Sequence, residues 1–124
     1  MKTVLVVDDS SFQRKKICTA LESNGYQVQA ASNGQECLAM LESAPPDCIV
    51  LDLLMPEMGG IEVLEIMRER NWHIPVIVHT ADIQDTTRQH CLDLGAVAFI
   101  NKPFRADELL TALAGLPGTK GEKE

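Results

Sequence analysis

The feature that most constrains this chain is a set of four short apolar runs and one alternating segment, separated by stretches of helical periodicity. The clearest run is Cys48-Ile49-Val50-Leu51, which stops at Asp52 and is followed by a Met55-Pro56 turn. A run this short, apolar at consecutive positions and bounded by turn signals, reads as a strand buried in a parallel sheet. In open α/β sheets, ligands sit outside the carboxyl ends of the strands. Asp52 therefore stands where a site would be, and the rest of the chain supplies its partners.

In chain order, Thr3 to Val7 is the first apolar run and ends in Asp8-Asp9-Ser10-Ser11. Ser10 or Asp9 can cap a following helix, with Ile17, Cys18 and Leu21 on one face and Arg14, Lys15 and Lys16 toward water. Asn24-Gly25 ends that helix. Residues 27–31 alternate as a second strand, and Ser32-Asn33-Gly34 opens a second helix that Pro45-Pro46 stops. After the Asp52 strand, Met55-Pro56-Glu57-Met58-Gly59-Gly60 forms a turn-rich loop, and the spacing predicts a third helix over 61–70. Pro75 opens a fourth strand ending His79-Thr80-Ala81. A fourth helix is predicted over 85–94, closed by Gly95, and a fifth strand over 96–100, ending Asn101-Lys102-Pro103-Phe104. A last helix carries Ala106, Leu109, Leu110 and Leu113 on one face. Strand and helix alternate five times, which implies a parallel sheet with helices on both faces.

With 124 residues the chain suits one domain, placed at 1–116, with a polar C-terminal tail over 117–124. A net charge of -7 argues against nonspecific nucleic-acid binding, which needs clustered Lys and Arg. No apolar run approaches the roughly 20 residues of a membrane span. Acids follow the first apolar run at once, unlike a signal peptide, so a cytoplasmic location is expected. Cys18, Cys37, Cys48 and Cys91 form no CxxC pair and read as reduced, buried small hydrophobes.

The strand ends hold the chemistry: Asp8 and Asp9 after the first, Asp52 after the third, Thr80 after the fourth, Lys102 after the fifth. If the strands are parallel, all five residues lie on one edge. Taken singly, each has an ordinary structural reading: a cap, a turn residue, a β-former, a solvated lysine. Together they place three carboxylates beside a hydroxyl and an ammonium. Converging carboxylates repel one another and resist ionising. A hard divalent cation relieves this; Mg2+ takes oxygen ligands and typically binds one or two carboxylates plus a phosphate. Asp52 would then be a nucleophile toward phosphorus, with Mg2+ and Lys102 neutralising the transferring oxygens and Thr80 donating to one of them.

Over about residues 2 to 116 the chain resembles the receiver domains of two-component response regulators. The marks are Val6-Val7-Asp8-Asp9-Ser10, Asp52-Leu53-Leu54-Met55-Pro56-Glu57-Met58-Gly59-Gly60, His79-Thr80-Ala81 and Asn101-Lys102-Pro103-Phe104, in that order and spacing. The resemblance implies a flavodoxin-like, doubly wound five-stranded parallel sheet of order 2-1-3-4-5 with five helices. It implies phosphorylation of Asp52 by a sensor histidine kinase or phosphotransfer protein. Mg2+, with Mn2+ as a substitute, would be held by Asp9, Asp52 and the backbone carbonyl of Leu54, with Asp8 acting mainly through a metal-bound water. Thr80 and Lys102 would bind phosphoryl oxygens, and the Lys102-Pro103 bond is expected to be cis. Thr80 and Phe99 match the family's switch pair. Their movement would remodel the face of the fourth helix, fifth strand and fifth helix toward an effector protein. The implied state is a monomer or a weak, phosphorylation-dependent dimer. Neither direct DNA binding nor membrane association is expected. The implied activity is self-modification and self-dephosphorylation rather than turnover of external substrates.

This chain departs from many relatives in ways that bear on the expectation. Phe99 has no hydroxyl, so the switch is expected to work by packing alone. Leu54 and Asp82 stand two residues past Asp52 and Thr80; a leucine cannot orient an attacking water, so slow intrinsic hydrolysis is expected. Met55 and Met58 read as loop packing. His73, His79 and His90 read as isolated, with His79 pointing away from the site. Trp72, the one tryptophan, reads as a partly exposed packing residue and a possible partner contact.

Three other readings stand beside this one. An aspartyl-phosphate phosphatase of the haloacid dehalogenase type needs an acid two residues after its nucleophile, where Leu54 stands. A phosphate-independent interaction module would not need the full set of five residues. A flavodoxin-like cofactor domain would need a phosphate loop after the first strand, and none is present. The chain reads either as a stand-alone receiver or as one cut from a longer protein; Met1 favours the former.

Overall fold

A computed structural model describes residues 2–116. Five strands and five helices alternate along the chain. They are β1 (Thr3–Val7), α1 (Ser11–Glu22), β2 (Gln27–Ala31), α2 (Gly34–Ser43), β3 (Cys48–Leu51), α3 (Gly60–Glu69), β4 (Val76–Thr80), α4 (Asp85–Asp93), β5 (Ala98–Asn101) and α5 (Ala106–Ala114). The strands form one sheet of order β2-β1-β3-β4-β5, parallel at every pairing, as the resemblance implied. The order reverses between β1 and β3, which opens a crevice at their carboxyl ends.

Side chains alternate across the sheet because the strand period is two. Leu5, Val7, Ile49, Leu51, Val76 and Val78 face α2, α3 and α4, meeting Cys37, Leu41, Val63, Leu64 and Cys91. Val4, Val6, Val50 and Ile77 face α1 and α5, meeting Ile17, Leu21, Leu109 and Leu113. Burying such a side chain contributes about 1.5–3 kcal/mol, so these two layers hold the sheet edge rigid beneath the site. Cys37, Cys48 and Cys91 are buried free thiols, and Cys18 is half-buried.

Local capping sets the helix starts. Ser10 caps α1 by accepting from the Gln13 N–H at 3.2 Å. Asn33 caps α2 by accepting from the Glu36 N–H at 2.8 Å, while Glu36 accepts from the Ser32 N–H and hydroxyl. β5 starts later than the spacing predicts. The Ala96 N–H is spent on the Cys91 carbonyl, closing α4 before the strand begins. Among the described residues no helix is long and apolar enough to cross a membrane. The polar tail expected over 117–124 lies outside the described residues, apart from which the expected unit 1–116 is covered but for Met1.

The loop after Asp52 is held by close approach. A Cβ on Gly60 would lie 2.5 Å from the Asp52 carbonyl oxygen and 2.9 Å from Leu53 Cα. A Cβ on Gly34 would instead meet the flexible Met58 side chain, at 2.7 Å. That contact accounts for Met58 as loop packing. Gly60→Ala is therefore expected to destabilise the protein by about 1–3 kcal/mol in urea denaturation, and Gly34→Ala by less, because backbone gives way less readily than a methionine.

Candidate functional site

β1 and β3 run side by side, and their register brings their last residues level. The Asp52 N–H donates to the Val7 carbonyl at 3.0 Å, which sets Asp52 beside Asp8 at the crevice mouth. Asp8 and Asp52 are 1% and 4% exposed. Asp9, the next residue, is exposed. One carboxylate oxygen from each of Asp8, Asp9 and Asp52 lies within 4.8 Å of the others. The sequence-predicted triad is thus brought together.

Lys102 reaches this cluster from the far side of the sheet. Its ammonium donates to Asp8 Oδ2 at 3.2 Å and to Asp52 Oδ2 at 3.3 Å. The other carboxylate oxygens are held by backbone: the Ser10 N–H donates to Asp8 Oδ1 at 2.9 Å, and the Leu54 N–H to Asp52 Oδ1 at 3.2 Å. The Lys102 N–H donates to the Thr80 carbonyl at 2.8 Å, and Asn101 Nδ2 to the Asp82 carbonyl at 2.9 Å. These bonds tie the β5–α5 turn, whose Lys102-Pro103 peptide is cis, to the end of β4.

Thr80 is fully buried, and its hydroxyl accepts from the Asp82 N–H at 3.2 Å. Phe99 sits half-buried on β5, beside Val78, against the α2–α3–α4 side of the core. Leu54 is 57% exposed beside Asp52. The Asp82 carboxylate, by contrast, is engaged at the start of α4, accepting from the Gln84 N–H at 2.9 Å and the Thr87 hydroxyl at 3.0 Å.

The electrostatics follow from burial. Loss of water raises the Asp52 carboxyl above its ordinary value, and Asp8 adds to this, against the Leu54 N–H and Lys102. Burial pulls Lys102 down, but Asp52 and Asp8 outweigh it and the ammonium is raised overall. One ammonium faces three carboxylates, so the cluster carries uncompensated negative charge. A set of hard oxygens with that charge suits a hard divalent cation, which is the fit expected of the donors.

Two side chains do more than their sequence positions suggested. Arg14, expected to face water, turns back so that Nη1 donates to the Asp8 carbonyl at 2.7 Å. Nothing in the helical spacing signals this, because the contact depends on how α1 leaves β1. His79, expected to point away from the site, is 3% exposed and packs edge-on against Phe104, with ring centroids 5.9 Å apart. Neither ring nitrogen has a hydrogen-bond partner. Burial, and then Lys102, lower its imidazole to about 4, opposed by Asp8.

That shift has a definite sign in stability. The folded state resists a proton that the unfolded chain accepts near 6.5, so stability is fully present above 6.5 and is lost as pH falls through 4. Without divalent cation, the wild type is expected to lose about 3 kcal/mol across that window that His79→Leu keeps, measured by urea denaturation from pH 7 to 4. Parallel pH profiles for the two proteins would contradict it.

Comparison with known proteins places this geometry. Residues 4–114 match the family model described as the response regulator receiver domain. The chain is 38% identical over 113 residues to the response regulator MprA of Mycolicibacterium vanbaalenii, covering 91% of this chain and 49% of that protein. It is 39% identical to MprA of Mycobacterium tuberculosis, with the same coverage. The chain spans about half the length of these curated relatives. Among solved structures, the receiver domain of Francisella response regulator 1452 superposes with a TM-score of 0.88 at 30% identity, over 100% of both chains. Chemotaxis protein CheY4 of Vibrio cholerae gives 0.85 at 33% identity, over 91% of this chain and 96% of that one. The CheY of the CheX-CheY-BeF3-Mg2+ complex from Borrelia burgdorferi gives 0.87 at 30% identity, over 91% and 87%.

Proposed function

The chain belongs to the response regulator receiver family, and on that premise we propose that it is a signalling switch set by phosphorylation of Asp52. Receiver domains are signalling domains rather than multiple-turnover enzymes. The observation that carries the reading is the Lys102 ammonium bridging two buried carboxylates at the crevice, with Asp9 within 4.8 Å.

The Asp52 carboxylate attacks the phosphorus of a phosphohistidine, or of a small acyl phosphate. A P–O bond to Asp52 forms as the bond to the leaving group breaks, and the electron pair departs with that group. Asp8, Asp9, Asp52 and the Leu54 carbonyl would hold Mg2+, or Mn2+ in its place. When bound, that cation supplies positive charge against the phosphoryl oxygens. Lys102 moves its hydrogen bond from the Asp52 carboxylate to a phosphoryl oxygen. Thr80, released from the Asp82 N–H, donates its hydroxyl to another. Because the Thr80 carbonyl is bonded to the Lys102 N–H, a shift at β4 is passed to the β5–α5 turn. Phe99, lacking a hydroxyl, follows by packing, and the α4–β5–α5 face changes toward an effector protein. Leu54 offers no polar group to an attacking water, and the Asp82 carboxylate is engaged with α4, which supports a slow loss of the phosphoryl group.

The phosphoryl donor is read as a histidine kinase or phosphotransfer protein. Phe12 at 70%, Leu54 at 57% and Ile83 at 76% exposed form an apolar rim on loops and a helix start around the crevice. Lys16 lies over the Phe12 ring at 5.5 Å, and Lys15 beside it is exposed, giving this acidic protein a basic shoulder next to the site. The Borrelia relative, solved with BeF3 and Mg2+ in complex with CheX, supports the same class of chemistry and of protein partner by likeness.

Intact-protein mass after incubation with acetyl phosphate tests this. Wild type with Mg2+ is expected to gain one phosphoryl adduct, which disappears without the cation and in Asp52→Asn. An adduct that survives in Asp52→Asn, or none in wild type under any condition, would contradict the proposal.

A further inference from the structure

Trp72 and its surroundings lie at the amino-terminal edge of the sheet, opposite Asp52, and take no part in the chemistry above. A half-open groove of about 430 Å3 runs there between the end of α3, the start of β4 and the end of α4. Its floor is apolar, with Met67, Leu94 and Trp72, and Val97 at its side is 46% exposed. Arg68 and His73 also line it, and no carboxylate side chain does, among the described residues. Arg70 stands over the indole at 5.0 Å.

The charge here runs against the rest of the molecule. The chain carries 18 acidic and 11 basic residues. Yet residues 68–73 hold Arg68, Arg70 and His73 against Glu69 alone. Among the described residues neither arginine has a carboxylate partner. The helix ends facing the groove would favour a cation if their carbonyls were bare. They are closed instead by their own chain. In α3 the Arg70, Asn71 and Trp72 N–H groups donate to the Ile66, Arg68 and Met67 carbonyls, and Asn71 takes the left-handed φ of 57° that this closure needs. In α4 the Leu94, Gly95 and Ala96 N–H groups do the same, and Arg68 Nη1 donates to the Asp93 carbonyl at 2.6 Å. What the mouth offers a ligand is therefore guanidinium and imidazole around an apolar floor.

We propose that this groove docks an acidic segment of a partner protein. The segment seats one aliphatic or aromatic side chain between Met67, Leu94 and Val97, and sets its carboxylates against Arg68 and Arg70. Guanidiniums without a carboxylate partner, beside an aromatic ring, are the composition of interface anchors, and opposite charge selects the partner. Since the groove lies at the opposite edge from Asp52, such a partner could hold the domain while the phosphorylation site stays open to a donor.

The single tryptophan gives the test a direct probe. The full chain is titrated with the N-acetylated, C-amidated hexapeptide Glu-Asp-Leu-Phe-Glu-Asp, following Trp72 emission and, independently, heat. Saturable binding is expected, about ten-fold weaker for Arg68→Glu, whose exposed side chain leaves the core untouched. The peptide Lys-Lys-Leu-Phe-Lys-Lys, which needs no variant, is expected not to saturate. The proposal is overturned if the acidic peptide fails to bind, if both peptides bind alike, or if Arg68→Glu binds as wild type does. It is equally overturned if sedimentation shows the groove covered by a second copy of the chain that the acidic peptide does not displace.

Discussion

A single ammonium, that of Lys102, stands between two buried carboxylates, and the carboxyl edge of the sheet depends on it. Asp8 and Asp52 have been taken out of water by the same parallel register that places them side by side. Without an opposing charge they would repel and take up protons. Removing one member of such a buried pair typically costs about 3–5 kcal/mol, because the survivors are left unpaired. The bridge therefore fixes the turn after β5 as firmly as it holds the Asp52 carboxylate. It also spans the sheet, joining β1, β3 and β5 across β4, so whatever takes Lys102 away from Asp52 is felt at both ends of the bridge.

Much of this was legible in the residues. The sheet could be read because four strands are compact apolar runs that end in a turn signal or a polar residue, β2 alternates, and all five are separated by helical spacing. Once the strands were parallel, the positions of Asp8, Asp9, Asp52, Thr80 and Lys102 at strand ends required that they share an edge. The strand order came from family resemblance rather than from periodicity, which does not distinguish one winding from another. What could not be read was lateral. Arg14 returns to the Asp8 carbonyl, and His79 lodges against Phe104 at a core position, because of how α1 and α5 pack across the sheet. Patterning reports which face a side chain is on, but not which neighbour from another element it meets. Spacing alone starts β5 too early for a related reason: Ala96 is apolar like a strand residue, but its N–H closes α4.

The crevice at the carboxyl edge and the groove at the amino edge have opposite characters. At the carboxyl edge, acids dominate and a bound cation would be welcome. In the groove at the amino edge, the ends of α3 and α4 are sealed and the lining charge is basic. The acidic character of the whole protein conceals this division, which appears only when the charges are placed on the fold. Under the functions proposed above, the phosphoryl chemistry and the docked partner would occupy opposite edges and not compete for the same surface.

The central claim, that the three strand-end acids form one cation site restrained by Lys102, is tested most directly by thermal unfolding as a function of Mg2+ concentration. A ligand that binds only the folded state raises the midpoint by mass action. The account predicts a midpoint that climbs with millimolar Mg2+ in wild type and stays flat in Asp9→Asn, which removes an exposed ligand without disturbing the core. An equal rise in both proteins, or none in wild type, would contradict it.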